Sequence, residues 1–178
     1  DGKGASLEVV DTAGDFGDSD NWLSSIAYGG TPGAAPVGSL GIVVNEVLTH
    51  TDLPSVDSIE LYNTTGQTVD IGYWYLSDTW GWASNLQNGD YKKYMIPAGT
   101  EIDPGEYLVF DESDFGGVGP LDFALDGARG DDVWLMAADA SGDLTHFADH
   151  VSFGGVANGE SFGRWPDHSG DLYPMTSV

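Results

Sequence analysis

An all-β fold, built as a two-sheet antiparallel β-sandwich, is what this chain predicts, and three observations carry the prediction. The 178 residues include 26 Gly and 8 Pro that fall between short apolar runs, the pattern of many strands joined by tight turns. Hydrophobic residues make up 40%, with six Trp, eight Tyr and seven Phe, so there is ample apolar surface to offset chain entropy despite an acidic composition. No long helix is visible in the pattern. At this length the expectation is one well-buried core, or one domain with a fragment of a neighbour.

Taken in order, strands are expected at Ile42 to Leu48, Ser58 to Tyr62, Trp74 to Ser77, Lys92 to Ile96, Tyr107 to Phe110, Asp132 to Ala137, Leu144 to Phe153 and Ser161 to Trp165. Thr65-Gly66, Ala98-Gly99, Pro104-Gly105 and Ser141-Gly142 supply turns, with Gly where positive φ is favoured. In the seventh run, alternation places Phe147, Val151 and Phe153 on one face with Asp149, and His146 and His150 on the other. Asp149 is then an inward carboxylate that must be hydrogen-bonded, paired or metal-bound, because an isolated charge is costly to bury. Short strands at turn-rich spacing make a sandwich the economical arrangement.

Five basic residues against twenty-nine acidic ones give a formal charge of −24. Such a field repels nucleic acid and anionic lipid, so neither is an expected partner. It also costs stability through self-repulsion, which points to a saline medium, bound divalent metal, or both. Cysteine is absent, which removes disulfides and thiolate chemistry and leaves the redox compartment unread. No apolar run is long enough to cross a bilayer, and Asp1-Gly2-Lys3 does not look like a signal peptide. The expectation is a processed or excised piece of something longer.

Gly30 to Gly41 has a linker's composition, small residues with Pro and Gly and no charge. It divides the chain into residues 1–36 and residues 37–178. Gly4, Ser6 and Leu7 echo Gly159, Ser161 and Phe162, so residues 1–36 read as the tail of a preceding module or as an N-terminal docking segment. The other reading packs them on their own domain, completing its sheet.

The phrases from Ile42 onward resemble the lamin tail domain, and they come in that family's order. I-V-V-N-E-V at 42–47, S-I-E-L-Y-N at 58–63 and V-D-I-G-Y-W-Y-L-S-D at 69–78 are similar to its first three strands. The stretches 94–110, 131–144, 148–154 and 161–167 are similar to its remaining hairpins and close. The resemblance covers the chain from Ile42 to about Pro174 and implies an immunoglobulin-like β-sandwich without catalytic residues, usually appended to secreted or surface proteins or repeated with other modules. The departures are the insertion Thr79 to Asp90 and the acidity. On this basis the expected function is a non-catalytic adhesion, spacer or assembly module of a larger protein, extracellular or at the cell surface, with neighbouring copies or domains as partners. The alternative is a carbohydrate-binding module attached to a degradative enzyme.

Candidate chemistry is sparse. Asp11, Asp15, Asp18 and Asp20 sit in one loop whose oxygens could wrap calcium, although the spacing is not that of an EF-hand; a solvated acidic loop is the competing reading. Asp111, Glu112 and Asp114 form a weaker second set. Trp80 and Trp82, with Asn85 and Gln87, offer flat rings beside amides, suited to stacking on a glycan; covering the sandwich edge is the competing role. Arg129-Gly130-Asp131 spells an adhesion tripeptide but falls where the resemblance implies a tight turn before a strand, and is read as that turn. His146 and His150 could share zinc on one strand face, but four residues along a strand is a wide separation, and surface positions are expected. No nucleophile-with-base set, G-x-S-x-G elbow or phosphate-binding glycine loop is present.

Overall fold

The computed structural model describes residues 5–35, 37–79, 91–119 and 121–175. In chain order the strands are β1 (Leu7–Val9), β2 (Trp22–Ser24), β3 (Ile42–Leu48), β4 (Ser58–Asn63), β5 (Val69–Asp70), β6 (Tyr75–Ser77), β7 (Tyr94–Met95), β8 (Glu101–Ile102) and β9 (Tyr107–Asp111). A single helical turn, α1 (Glu112–Phe115), precedes β10 (Gly130–Ala138), β11 (Leu144–Gly154), β12 (Ser161–Trp165) and β13 (Asp171–Met175).

Two antiparallel sheets face each other. One runs β11-β10-β6-β7 and the other β13-β12-β3-β4-β9. Alternation sorts the side chains: Ile42, Val44, Val47, Ile59 and Leu61 from the larger sheet meet Leu76, Val133, Leu135, Val151 and Phe153 from the smaller one in a single core. The expected strands are present to within a few residues at each end. Missing from the expectation are the short pairs β1-β2 and β5-β8 and the edge strand β13, whose Pro174 is tolerated because nothing pairs on its far side.

The smaller sheet is apolar on both faces, which is why β10 reads as the unbroken run V-W-L-M-A-A. Val133, Leu135 and Ala137 enter the main core, while Trp134, Met136 and Ala138 form a second cluster with Tyr75 and Tyr91 on the outside. Tyr91 packs edge-on against Trp134, with ring centroids 5.2 Å apart. Continuous apolar strands are the mark of a sheet covered on both sides.

Three register shifts interrupt the ladders, one in β3 and two in β11 where it pairs with β10, and two of them set the finer geometry of the face. In β3 the register shifts between Val44 and Glu46, making Asn45 the extra residue. In β11 it shifts at Ala148, because Leu135 pairs with Asp149 while Met136 pairs with Phe147. Two residues opposing one reverses the alternation beyond that point. This corrects the expected faces of β11: Phe147 lies in the outer cluster, not with Val151 and Phe153. The same step separates the two histidines, since His146 pairs with inward Ala137 and His150 with outward Trp134. They do not share a face.

Candidate functional site

The bulge that displaces Phe147 also aims Asp149 at the larger sheet. Its Oδ2 accepts from the Val44 amide at 2.7 Å and from the Arg164 guanidinium at 2.8 Å. Arg164 further donates to the Val44 carbonyl and the Gly170 carbonyl. Both side chains are 16% exposed, so the inward carboxylate is paired, and it ties the two sheets together.

The leader reaches the opposite edge of the same strand. β1 and β2 form a hairpin, and Ile26 to Tyr28 then lie antiparallel along β11, with Ala27 opposite His146. The Phe147 amide donates to the Ile26 carbonyl at 2.6 Å, and the Tyr28 amide to the Thr145 carbonyl at 2.7 Å. Tyr28 packs on Phe147 with centroids 5.6 Å apart, extending the outer apolar cluster. Ser25 and Ala27 are buried. In this structure the leader is bridged to the β11 edge of its own chain, through the backbone of Ile26 to Tyr28 and one aromatic contact. Glu8 clips the hairpin to the linker, accepting from the Thr31 amide and hydroxyl; the hydroxyl holds its carboxyl below the ordinary value.

The acidic loop between β1 and β2 is organised by its own backbone. Asp11, Asp15 and Asp18 each accept, through Oδ1, from the amide two residues on, the Asx-turn use of such residues. Asn21 is the hub: it accepts from the Asp11 amide and donates to the Asp11 and Asp15 carbonyls. Among the described residues, no group of three or more His, Asp or Glu is placed to hold a metal ion. Asp111 and Asp114 form a capping box on α1: Asp111 Oδ1 accepts from Ser113 and the Asp111 amide donates to Asp114. Trp80, Trp82, Asn85 and Gln87 lie outside the described residues.

Arg129-Gly130-Asp131 is a turn entering β10. The Gly130 amide donates to the Asp126 carbonyl at φ +95°, and a Cβ there would stand 2.2 Å from the Phe153 carbonyl oxygen. The histidines are dispersed: His50 contacts the Val156 carbonyl at 2.8 Å, His150 stacks on Trp134 and meets Asp132 at 2.7 Å, and His168 stacks on Tyr62. Missed by sequence reasoning were Asn45, Arg164 and the β-bridge at Ile26 to Tyr28. Only the last left a signal, the apolar S-I-A-Y before a Gly-rich linker.

Two antiparallel sheets around one core define an immunoglobulin-like β-sandwich. A family model described as Lamin Tail Domain matches residues 37–154, and the chain belongs to that family, a non-catalytic one. The match stops before β12 and β13, which hydrogen-bond onto β3 and complete the larger sheet. Comparison with curated proteins and with solved structures found no significant match. Among the described residues, no helix is long and apolar enough to cross a membrane.

Proposed function

We propose that this chain is a non-catalytic assembly and adhesion module of a larger surface or secreted protein, joined to neighbouring copies by exchange of its leader strand. The observation that carries this reading is the seat of Ile26 to Tyr28 on the β11 edge. Strand addition of this type draws affinity from main-chain bonds and specificity from a side-chain pocket, here the Tyr28 contact with Phe147. The linker that follows is composed of small residues, with Gly29, Gly30 and Gly33 all at positive φ, and such a hinge lets the strand leave one copy and enter another at low cost. An edge strand that is covered by an exchangeable partner is also protected from indiscriminate pairing.

Sedimentation equilibrium tests this directly. In about 0.5 M NaCl, where repulsion between acidic copies is screened, the whole chain is expected to associate reversibly. Tyr28→Pro removes both the amide donor to Thr145 and the ring on Phe147, and should hold the chain as a folded monomer. A wild-type chain that stays monomeric at every concentration, or a Tyr28→Pro variant that associates equally well, contradicts the exchange.

A further inference from the structure

The outward face of the larger sheet is unlike an ordinary solvated one. Trp165 is 69% exposed, Val109 51%, Tyr173 49% and Tyr107 43%, although the wet face of an antiparallel sheet normally carries small and polar groups. Register puts them on one surface: Glu60 pairs with Val109, Tyr62 with Tyr107, and Gly163 with both Glu46 and Tyr173. Gly163 has no side chain, and Met175 and Glu46 lie over it, with Met175 Cε 2.9 Å from where a Cβ would stand.

Into this surface three carboxylates are crowded. Glu46 and Glu60 face each other directly across β3 and β4, a like-charge pairing that destabilises a sheet. Burial pushes the Glu60 carboxyl up, and the charges of Glu46 and Asp167 push it the same way against the Asn45 hydrogen bond. The surround is stiff. Tyr62 is held between Tyr107, at 4.6 Å, and His168, at 4.5 Å; Tyr107 donates to Asp167 at 2.8 Å. The Asn45 oxygen accepts from the His168 amide, pinning that residue at φ +55°, an unfavourable conformation for a non-glycine residue. Among the described residues no Lys or Arg side chain is paired with these carboxylates, and the His168 ring lies 3.9 Å from Asp167. The four described Lys and Arg side chains are spent elsewhere: Lys92 on Asp143, Lys93 on Asp78, Arg129 on Asp126 and Arg164 on Asp149.

We infer that this face binds a basic peptide segment of a partner protein, its Lys or Arg stems lying along Trp165 and Tyr107 and its charged heads entering between Glu46, Glu60 and Asp167. Exposed rings receive cations on their faces and cover the aliphatic stems, and the carboxylates supply the charge complement. A second copy of this chain does not fit, because its −24 charge matches the sign of the face. The inference rests on the module reading and adds the chemistry of its partner.

Hexalysine, titrated into the whole chain at about 50 mM salt and followed by tryptophan fluorescence and calorimetry, is the test. Binding is expected to weaken by about tenfold or more in Glu46→Gln with Glu60→Gln, and separately in Trp165→Ala, whose exposed ring can be removed without unfolding. The same charge removed elsewhere, in Glu101→Gln with Asp52→Asn, should change it by less than about twofold. Equal losses in both charge variants would mean diffuse acidity and overturn the site. So would no binding at all, or a neutral oligosaccharide such as cellohexaose bound through Trp165 in place of the peptide. Either failure leaves leader-dependent association intact, whereas loss of that association alone strikes only the module reading.

Discussion

At the scale of single residues, a carboxylate on the inner face of a sheet survives because both its oxygens are partnered, Oδ2 from the facing sheet and Oδ1 by the His150 amide of its own strand. Asp149 accepts from the Val44 amide and the Arg164 guanidinium, and Arg164 in turn donates to two backbone carbonyls. Removing one partner strands the other in a largely dry site, so Asp149→Ala or Arg164→Ala should each lower urea stability by about 3–5 kcal/mol. Replacing both together should cost less than the two separate losses added, a coupling that a double-mutant cycle reads. On the outer face, Tyr107 is pushed up to about 12, first by its hydrogen bond to Asp167, and the same bond holds the Asp167 carboxyl below its ordinary value. Tyr107→Phe should return Asp167 towards that ordinary value in an NMR titration. The inward position of Asp149 was legible from alternation. Its partner was not, because Arg164 comes from another sheet and nothing local links the two.

At the scale of elements, the bulges decide what alternation could and could not say. A period of two predicts faces only while the ladder is unbroken. The extra residue at Ala148 turned Phe147 outward and parted His146 from His150, and the one at Asn45 aimed an amide at Glu60 and His168. Neither leaves a compositional mark, so the strands were legible and the orientation of half of β11 was not. The turn at Gly130 was legible from the family resemblance, which implies a tight turn before this strand. Gly130→Ala meets the Phe153 carbonyl at 2.2 Å and should destabilise by more than about 1 kcal/mol in thermal unfolding, because both backbone and space oppose it. The leader's single β-bridge at Ala27 is too short for periodicity to detect, and its role emerges only when β11 is seen to offer an edge.

At the scale of the whole molecule, the acidic composition and the fold are separate matters. The ordered phrases from Ile42 gave the sandwich, whereas the −24 charge governs how stability responds to solvent. Melting temperature should climb with NaCl, as screening relieves self-repulsion. The pH response follows from two opposed sets of carboxyls. Burial raises Asp57, Glu60 and Asp131, so the fold favours their protonated forms and stability should increase as pH falls from neutrality towards the ordinary carboxylate range. Hydrogen bonds lower Glu8, Asp111 and Asp167; what they contribute is present above the ordinary carboxylate range and is lost below about pH 4. A melting curve without that maximum would contradict the assignment.

Leader exchange between copies is the central claim, and the absence of cysteine permits a direct test. Ala27 and His146 face each other as a non-hydrogen-bonded antiparallel pair, a spacing of about 4.5 Å between Cα atoms that suits a disulfide. Ala27→Cys and His146→Cys chains, prepared separately, mixed in about 0.5 M NaCl and oxidised, should yield a covalent dimer of one with the other, well above either chain oxidised alone. If the mixture gives no such heterodimer, while one chain carrying both substitutions closes only on itself, the leader belongs permanently to its own sheet.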